Sequence, residues 1–307
     1  MVFLLVILFL LKVVLNMVLI LLSVAFFTLF ERKILSIINN RLGPNKVGFW
    51  GLLQPFSDAL KLFSKEDLKF INVNYYLFMA SPLFGLLITL IMWSIISYWG
   101  LLTYYKYSFI MFFCFSSLSI YFLLMSGWSS GSSYSFLGSY RSSSQSISYE
   151  VPMVFIFLCI IIFSFDYSFS VLSGVNLFIM NFFMMPMLFL CWFVVCLAEC
   201  NRSPFDFSEG ESELVSGFNT EYGGGFFSLI FISEYAMILF FSIMSSLMFF
   251  NYSYFLYLWM MFLFFIFLWV RASFPRLRYD LLMMMCWKGI VVYIFGVFMF
   301  LFMFMYM

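Results

Sequence analysis

The sequence predicts an all-α polytopic membrane protein: eight transmembrane helices and one interfacial amphipathic helix, in a single membrane domain over residues 1–307. Three observations carry that prediction. The chain is 65% hydrophobic and 9% charged, with a mean hydropathy of +1.08. Its apolar runs reach the roughly 20 residues that a helix needs to cross a bilayer. And 13 of its 15 basic residues fall in or beside every second connection between those runs.

The spans are expected at about 2–30, 75–98, 108–127, 151–171, 177–198, 226–250, 252–270 and 281–304. The first is one apolar run carrying Lys12. It has neither an Arg-rich amphipathic stretch nor a small-residue cleavage site, so it reads as a span rather than a leader. The run from Phe226 to Val270 is too long for one crossing, and Asn251-Tyr252-Ser253 offers the turn. The boundary between the fourth and fifth spans falls near Asp166 to Asn176. Arg32, Lys33, Arg41, Lys46, Lys61, Lys65, Lys69, Arg141, Arg202, Arg271, Arg276, Arg278 and Lys288 belong to the odd-numbered connections and their flanks. By the positive-inside rule those connections face the matrix or cytoplasm, with both termini on the other side.

The first connection, 31–74, is more than a loop. Gly43-Pro44-Asn45 reads as a turn, because Pro fixes φ and Gly or Asn tolerates unusual backbone. From about residue 51 to 65, Leu52, Phe56, Leu60 and Phe63 recur at helical spacing, with Gln54, Asp58, Lys61 and Lys65 opposite. That pattern is an amphipathic helix lying in the membrane plane. It either anchors the topology or forms one wall of a cavity at headgroup depth. Residues 126–148 then hold twelve serines in 23 positions, a composition that reads as a flexible linker. Arg141, Gln145 and Glu150 interrupt it, and Pro152 suits the first turn of the fourth span.

The connection at 199–225 is the most informative segment. Between 196 and 222 it carries Glu199, Asp206, Glu209, Glu211, Glu213 and Glu221, with Arg202 as the only cation among them. So many acids are poor decoration for an apolar chain; packed between spans, carboxylates mark ion or proton paths. A solvated loop is the plainer reading. Glu234 lies eight residues into the sixth span, about 12 Å along its axis. A charge there costs about 3 kcal/mol or more on the insertion scale. It must be protonated, paired, or beside internal water.

Composition also excludes. Histidine is absent, which removes bis-imidazole haem, His-ligated metals and imidazole acid–base chemistry. Cys114, Cys159, Cys191, Cys196, Cys200 and Cys286 form no Cys-x-x-Cys pair, so neither a zinc nor an iron–sulfur site is expected. Cys196 and Cys200, four apart, read as packing residues. Net charge is +1 with no basic patch, which argues against nucleic acid.

Taken together, several motifs resemble one family. They are Glu31-Arg32-Lys33, Arg41-Leu42-Gly43-Pro44-Asn45, the run from Gly51 to Phe63, Ser148-Tyr149-Glu150, Phe205 to Asn219, and Arg271 to Asp280. The chain resembles the chain 1 family of mitochondrial NADH:ubiquinone oxidoreductase, respiratory complex I, from about residue 3 to 296. That resemblance implies a core membrane subunit of a proton-pumping enzyme in the mitochondrial inner membrane, or in a bacterial plasma membrane. Ubiquinone is the implied substrate; flavin and iron–sulfur clusters belong to partner subunits, and no redox centre or cofactor to this chain. The implied partners are the hydrophilic subunits at the quinone junction, the antiporter-like membrane subunits and lipids. By motif position, Glu31, Arg32, Arg41, Asp58, Lys61, Arg202, Phe205, Arg271 and Arg276 would shape a quinone chamber. Glu150, Glu199, Asp206, Glu209, Glu211, Glu213, Glu221 and Glu234 would form the first carboxylates of a proton-coupling path.

The departures from the family are local: Cys200 and Ser203 where small residues such as Thr and Ala are usual, serines around Arg141, and Met283 to Met285 in place of a polar residue or His. Two other classes compete. A proton- or cation-coupled transporter would need an inverted repeat or matched broken spans, and none is visible. A structural anchor for a soluble redox enzyme has no use for Glu234 or the acidic connection. The related membrane subunit of a membrane-bound hydrogenase shares parts of the pattern.

Overall fold

In the computed structural model, residues 2–66, 73–96, 105–164, 166–169, 181–207, 217–250 and 256–306 are described, and all regular structure among them is helical. In chain order the helices are α1 (Val2–Ile38), α2 (Gln54–Ser64), α3 (Tyr75–Ile95), α4 (Ser108–Ser129), α5 (Ser133–Ser164), α6 (Pro186–Glu199), α7 (Gly224–Phe249), α8 (Leu256–Ser273), α9 (Tyr279–Met284) and α10 (Val291–Tyr306). A π-helical turn, Met285–Ile290, joins α9 to α10 into one rod. Among the described residues, seven segments are long and apolar enough to cross a membrane. The expected fifth span corresponds to α6, a shorter apolar helix, preceded by a helical turn at Asn181–Met184. Residues 170–180, which hold most of the expected boundary between spans four and five, lie outside the described residues, as does Asn251-Tyr252-Ser253.

Three expectations need correction. The first helix does not stop at residue 30 but runs to Ile38, carrying Glu31, Arg32 and Lys33 on its last turns. Hydropathy ends where charge begins, but Glu, Arg and Lys are good helix formers and the backbone continues through them. The serine-rich stretch is no linker: from Ser133 it is helix, continuous with the fourth span. Ser139, Ser142, Ser143 and Ser144 each donate to the carbonyl three residues back. A serine that satisfies itself this way hides its polarity, and its small side chain lets neighbours approach. Pro152, expected in a first turn, therefore sits in the interior of α5.

An interior proline leaves the carbonyl four residues earlier without its helical N–H. Both such sites are answered from elsewhere in the bundle. Pro152 frees the Ser148 carbonyl, which accepts the Cys286 thiol at 3.2 Å. Pro82 in α3 frees the Phe78 carbonyl, which accepts the Tyr222 hydroxyl at 3.3 Å. That tyrosine also stacks on the Phe78 ring, centroids 4.1 Å apart. The prolines thus fix the α9–α10 rod to α5, and the start of α7 to α3.

Helices α7 and α5 form the interior: 61% and 56% of their most apolar windows are buried, against 22% for α1 and 17% for the last segment. Around α7 the core is aromatic. Phe112, Phe157, Trp192, Phe240 and Phe241 are fully buried, and Phe157 meets Trp192 edge-on at 5.2 Å, the geometry that aromatic quadrupoles favour. Helix α2 packs against α1 and α7, with Phe26 edge-on to Phe56 at 6.0 Å. Its Leu60 and Phe63 remain exposed, as expected for a helix lying in the membrane surface.

Candidate functional site

One end of the bundle gathers the polar residues of five elements. The last turns of α1 present Glu31 to Arg271 at the end of α8, as a close ion pair. Arg32, one residue on, pairs with Asp58 of α2 at 2.6 Å, and Gln54 steadies the same carboxylate at 3.0 Å. After α6 the chain reverses at Asn201, whose φ of 47° lies in the left-handed region that Asn tolerates. A tight turn follows, closed by the Phe205 N–H donating to the Arg202 carbonyl at 2.8 Å. The turn is tied to the α8–α9 connection, where the Leu277 N–H donates to the Pro204 carbonyl at 3.1 Å and Arg276 meets Asp206 at 3.5 Å.

Arg202 is the hub. Its guanidinium pairs with Glu234 of α7 at 2.6 Å, with Arg202 buried and Glu234 12% exposed. It also lies over Tyr235 at 4.8 Å and Phe231 at 5.5 Å, cation–π contacts that strengthen when desolvated. Of the three ways to tolerate a carboxyl deep in a span, pairing is the one found. The Tyr235 hydroxyl approaches Glu31 and feels both Arg202 and Arg271. Between these groups lies a small open cleft, walled by Glu31, Arg202, Ser203 and Arg271 on its polar side and by Phe27 and Leu268 on its apolar side. The arrangement suits a ligand with a polar head and an apolar body.

Two more carboxyls, both half-buried, lie beyond Cys200. Glu199 ends α6 and Glu150 sits in α5; they are close enough for their charges to repel. Each has one buried oxygen without a hydrogen-bond partner, while Glu150 also bonds Ser116 of α4. Cys200 links the two groups, within electrostatic reach of Glu199, Arg202 and Glu234. Burial, then the Glu199 carboxylate, push its thiol well above the usual cysteine range, against the pull of Arg202. It is a buried residue of the cleft wall.

The expected residues thus divide. Glu31, Arg32, Asp58, Arg202, Asp206, Arg271, Arg276 and Glu234 form four ion pairs. Phe205 is buried, tilted against Tyr149 at 6.3 Å. Arg41 and Lys61 are exposed and make no ion pair among the described residues. Glu221 is half-buried in the turn before α7. Glu209, Glu211 and Glu213 lie outside the described residues.

Sequence reasoning missed three contributors. Tyr235 bridges the two central ion pairs, and its only signal was being next to Glu234. Gln145 is fully buried, its amide donating to the Ala198 and Phe205 carbonyls at 2.8 and 3.1 Å. It clamps the two ends of the turn that holds Arg202. Its spacing from Arg141 and Tyr149, four residues each way, marks a helix face that the serine count obscured. Tyr222 anchors the far end of the acidic connection; burial pushes its phenol up, against hydrogen bonds from Ser81 and Ser129.

Fold and site together define a class: a polytopic helical membrane protein with an ion-paired, partly apolar cleft and further carboxyls inside the bundle. Comparison with known proteins narrows it. Residues 11–303 match the family model of NADH dehydrogenase. The chain is 45% identical over 296 residues to NADH-ubiquinone oxidoreductase chain 1 of Locusta migratoria, covering 92% of this chain and 90% of that one. It is 47% identical over 270 residues to the Mytilus edulis protein of the same name, covering 87% and 88%. With that of Heterololigo bleekeri it is 43% identical over 97% of both chains. The chain belongs to the NADH dehydrogenase family. It is a core membrane subunit of the NADH–ubiquinone oxidoreductase complex, passing several times through the mitochondrial inner membrane.

Proposed function

We propose that this chain forms the quinone-access chamber of the enzyme and supplies the first carboxylates of its proton-coupling path. The observation that supports it most is the position of Arg202, which lines the cavity with one side and holds Glu234 with the other. In this reading the apolar wall admits the isoprenoid tail, and Glu31, Arg202 and Arg271 meet the polar head. Reducing a quinone creates negative charge or a proton demand. In a low-dielectric interior such a charge acts strongly on its neighbours. It competes with Glu234 for Arg202, and the loosened carboxylate transmits the change to Glu199 and Glu150. Two carboxyls at that distance titrate as a pair, so either can pass a proton to the next. Glu209, Glu211, Glu213 and Glu221 extend the path, and the chamber faces the matrix with both termini on the other side. Electrons arrive through flavin and iron–sulfur clusters of partner subunits, and the path continues into antiporter-like membrane subunits.

The chamber is tested by separating quinone chemistry from NADH oxidation. Arg32→Ala breaks the clamp on Asp58, and Lys61→Met removes an exposed cation from the same helix. Each is expected to lower NADH:quinone turnover by about tenfold, about 1.4 kcal/mol of lost transition-state stabilisation. NADH oxidation by a hydrophilic artificial acceptor should be unchanged. Equal loss of both activities would point to failed assembly instead.

A further inference from the structure

Lys288 stands apart from the ion pairs described above. It lies inside the last membrane segment, nine residues beyond Tyr279, about 13 Å along the helix. Its side chain is exposed on the outer surface of the bundle and forms no ion pair among the described residues. The exposed side chains around it, Met284, Trp287 and Val292, are apolar. The nearest exposed charges on the rod are the Arg278–Asp280 pair near its start, and exposed Leu281 and Met284 lie between.

The backbone accounts for how the lysine comes to face outward. The π turn Met285–Ile290 adds a residue to the local repeat. It directs Cys286 inward, where the thiol fills the vacancy left by Pro152, while Trp287, Lys288 and Gly289 remain outside. A carbon added at Gly289, or at Gly296 seven residues on, meets no atom within 4 Å. Another backbone therefore has room to approach closely beside the lysine. This segment is also the least covered of the spans, with only 17% of its window buried.

A charged group in a span is costly unless paired, and lipid tails offer no counter-charge. We propose that the face around Lys288 is an interface, covered in the assembled enzyme by a membrane span of another subunit carrying an Asp or Glu at the depth of Lys288. The proposal rests on the chain's place in a multi-subunit enzyme. Charge complementarity and room for a close backbone favour a protein span over lipid.

A hydrophobic carbodiimide applied to the native assembled enzyme joins an amine to a carboxyl that it touches. Peptide mass spectrometry should find Lys288 linked to an Asp or Glu within an apolar segment of another chain. Lys288→Met should abolish that product and lower the yield of intact enzyme several-fold after detergent extraction, whereas Lys288→Arg should restore the yield. NADH oxidation by a hydrophilic acceptor reports separately whether the chain still resides in the enzyme. The proposal is overturned if Lys288 stays unlinked while other intramembrane carboxyls react and the Met variant assembles at the wild-type level. It is equally overturned if Lys288 stays unlinked and stripping anionic lipid destabilises wild type but not the Met variant, which would assign the lysine to a headgroup.

Discussion

At the scale of single residues, the account turns on Arg202. A deep carboxyl such as Glu234 announces in the sequence that it needs a partner, but 32 residues of separation hide which cation answers. Arg202 does so with a planar group that bonds the carboxylate and stacks on Tyr235 and Phe231. Lysine keeps the charge but loses the planar stacking and the fork. Arg202→Met should leave a buried carboxylate uncompensated, at about 3–5 kcal/mol, and lower the thermal stability of the assembled enzyme. Arg202→Lys should retain assembly while quinone-linked turnover falls about tenfold. Turnover per assembled enzyme, read beside a melting curve, distinguishes the two. Wild-type turnover in the Lys variant would show that charge alone suffices.

At the scale of elements, the apolar helices were legible because their cause, a run of span length, is written in composition. The serine-rich half of α5 was not. Hydropathy counts each hydroxyl as a cost, yet here the hydroxyls bond their own helix and face neighbours at close range. One close backbone approach is at Gly138, where an added carbon would lie 3.0 Å from the Gly217 Cα and the Phe218 nitrogen. Those residues belong to the 3-10 turn Gly217–Asn219, the point where the acidic connection returns to the bundle. Backbone cannot yield there as a flexible side chain would. Gly138→Ala should therefore destabilise by about 1–3 kcal/mol through overpacking and lower quinone-linked turnover by displacing the acidic connection. Gly225→Ala, whose added carbon meets only Phe63 at 3.8 Å, is the matched control and should be neutral. Thermal denaturation of the two assembled variants makes the comparison, and equal melting would refute the seating role.

At the scale of the whole molecule, the spans, the amphipathic helix and most residues gathered in the candidate site were readable from the sequence. Their assembly was not. Sequence spacing places Glu31 and Arg271, or Asp206 and Arg276, far apart, and only the closure of α1, α8 and the turn after α6 brings them together. In the proposed path the order runs from the cleft through Arg202 and Glu234 to Glu199 and Glu150, with Cys200 within electrostatic reach of Arg202, Glu234 and Glu199. The central claim is that this order couples quinone reduction to proton movement, and Glu234 is the link that both halves share. Gln at that position keeps the volume and a hydrogen-bonding amide for Arg202 but holds no exchangeable acid proton; Asp keeps the acid on a shorter stem. The direct measurement is NADH:quinone turnover and proton translocation in vesicles containing the assembled Glu234→Gln enzyme. Turnover, translocation or both should fall while the complex stays intact, with Glu234→Asp retaining part of the function. A Gln variant that matched wild type in both would make Glu234 a purely structural partner of Arg202 and contradict the coupling path.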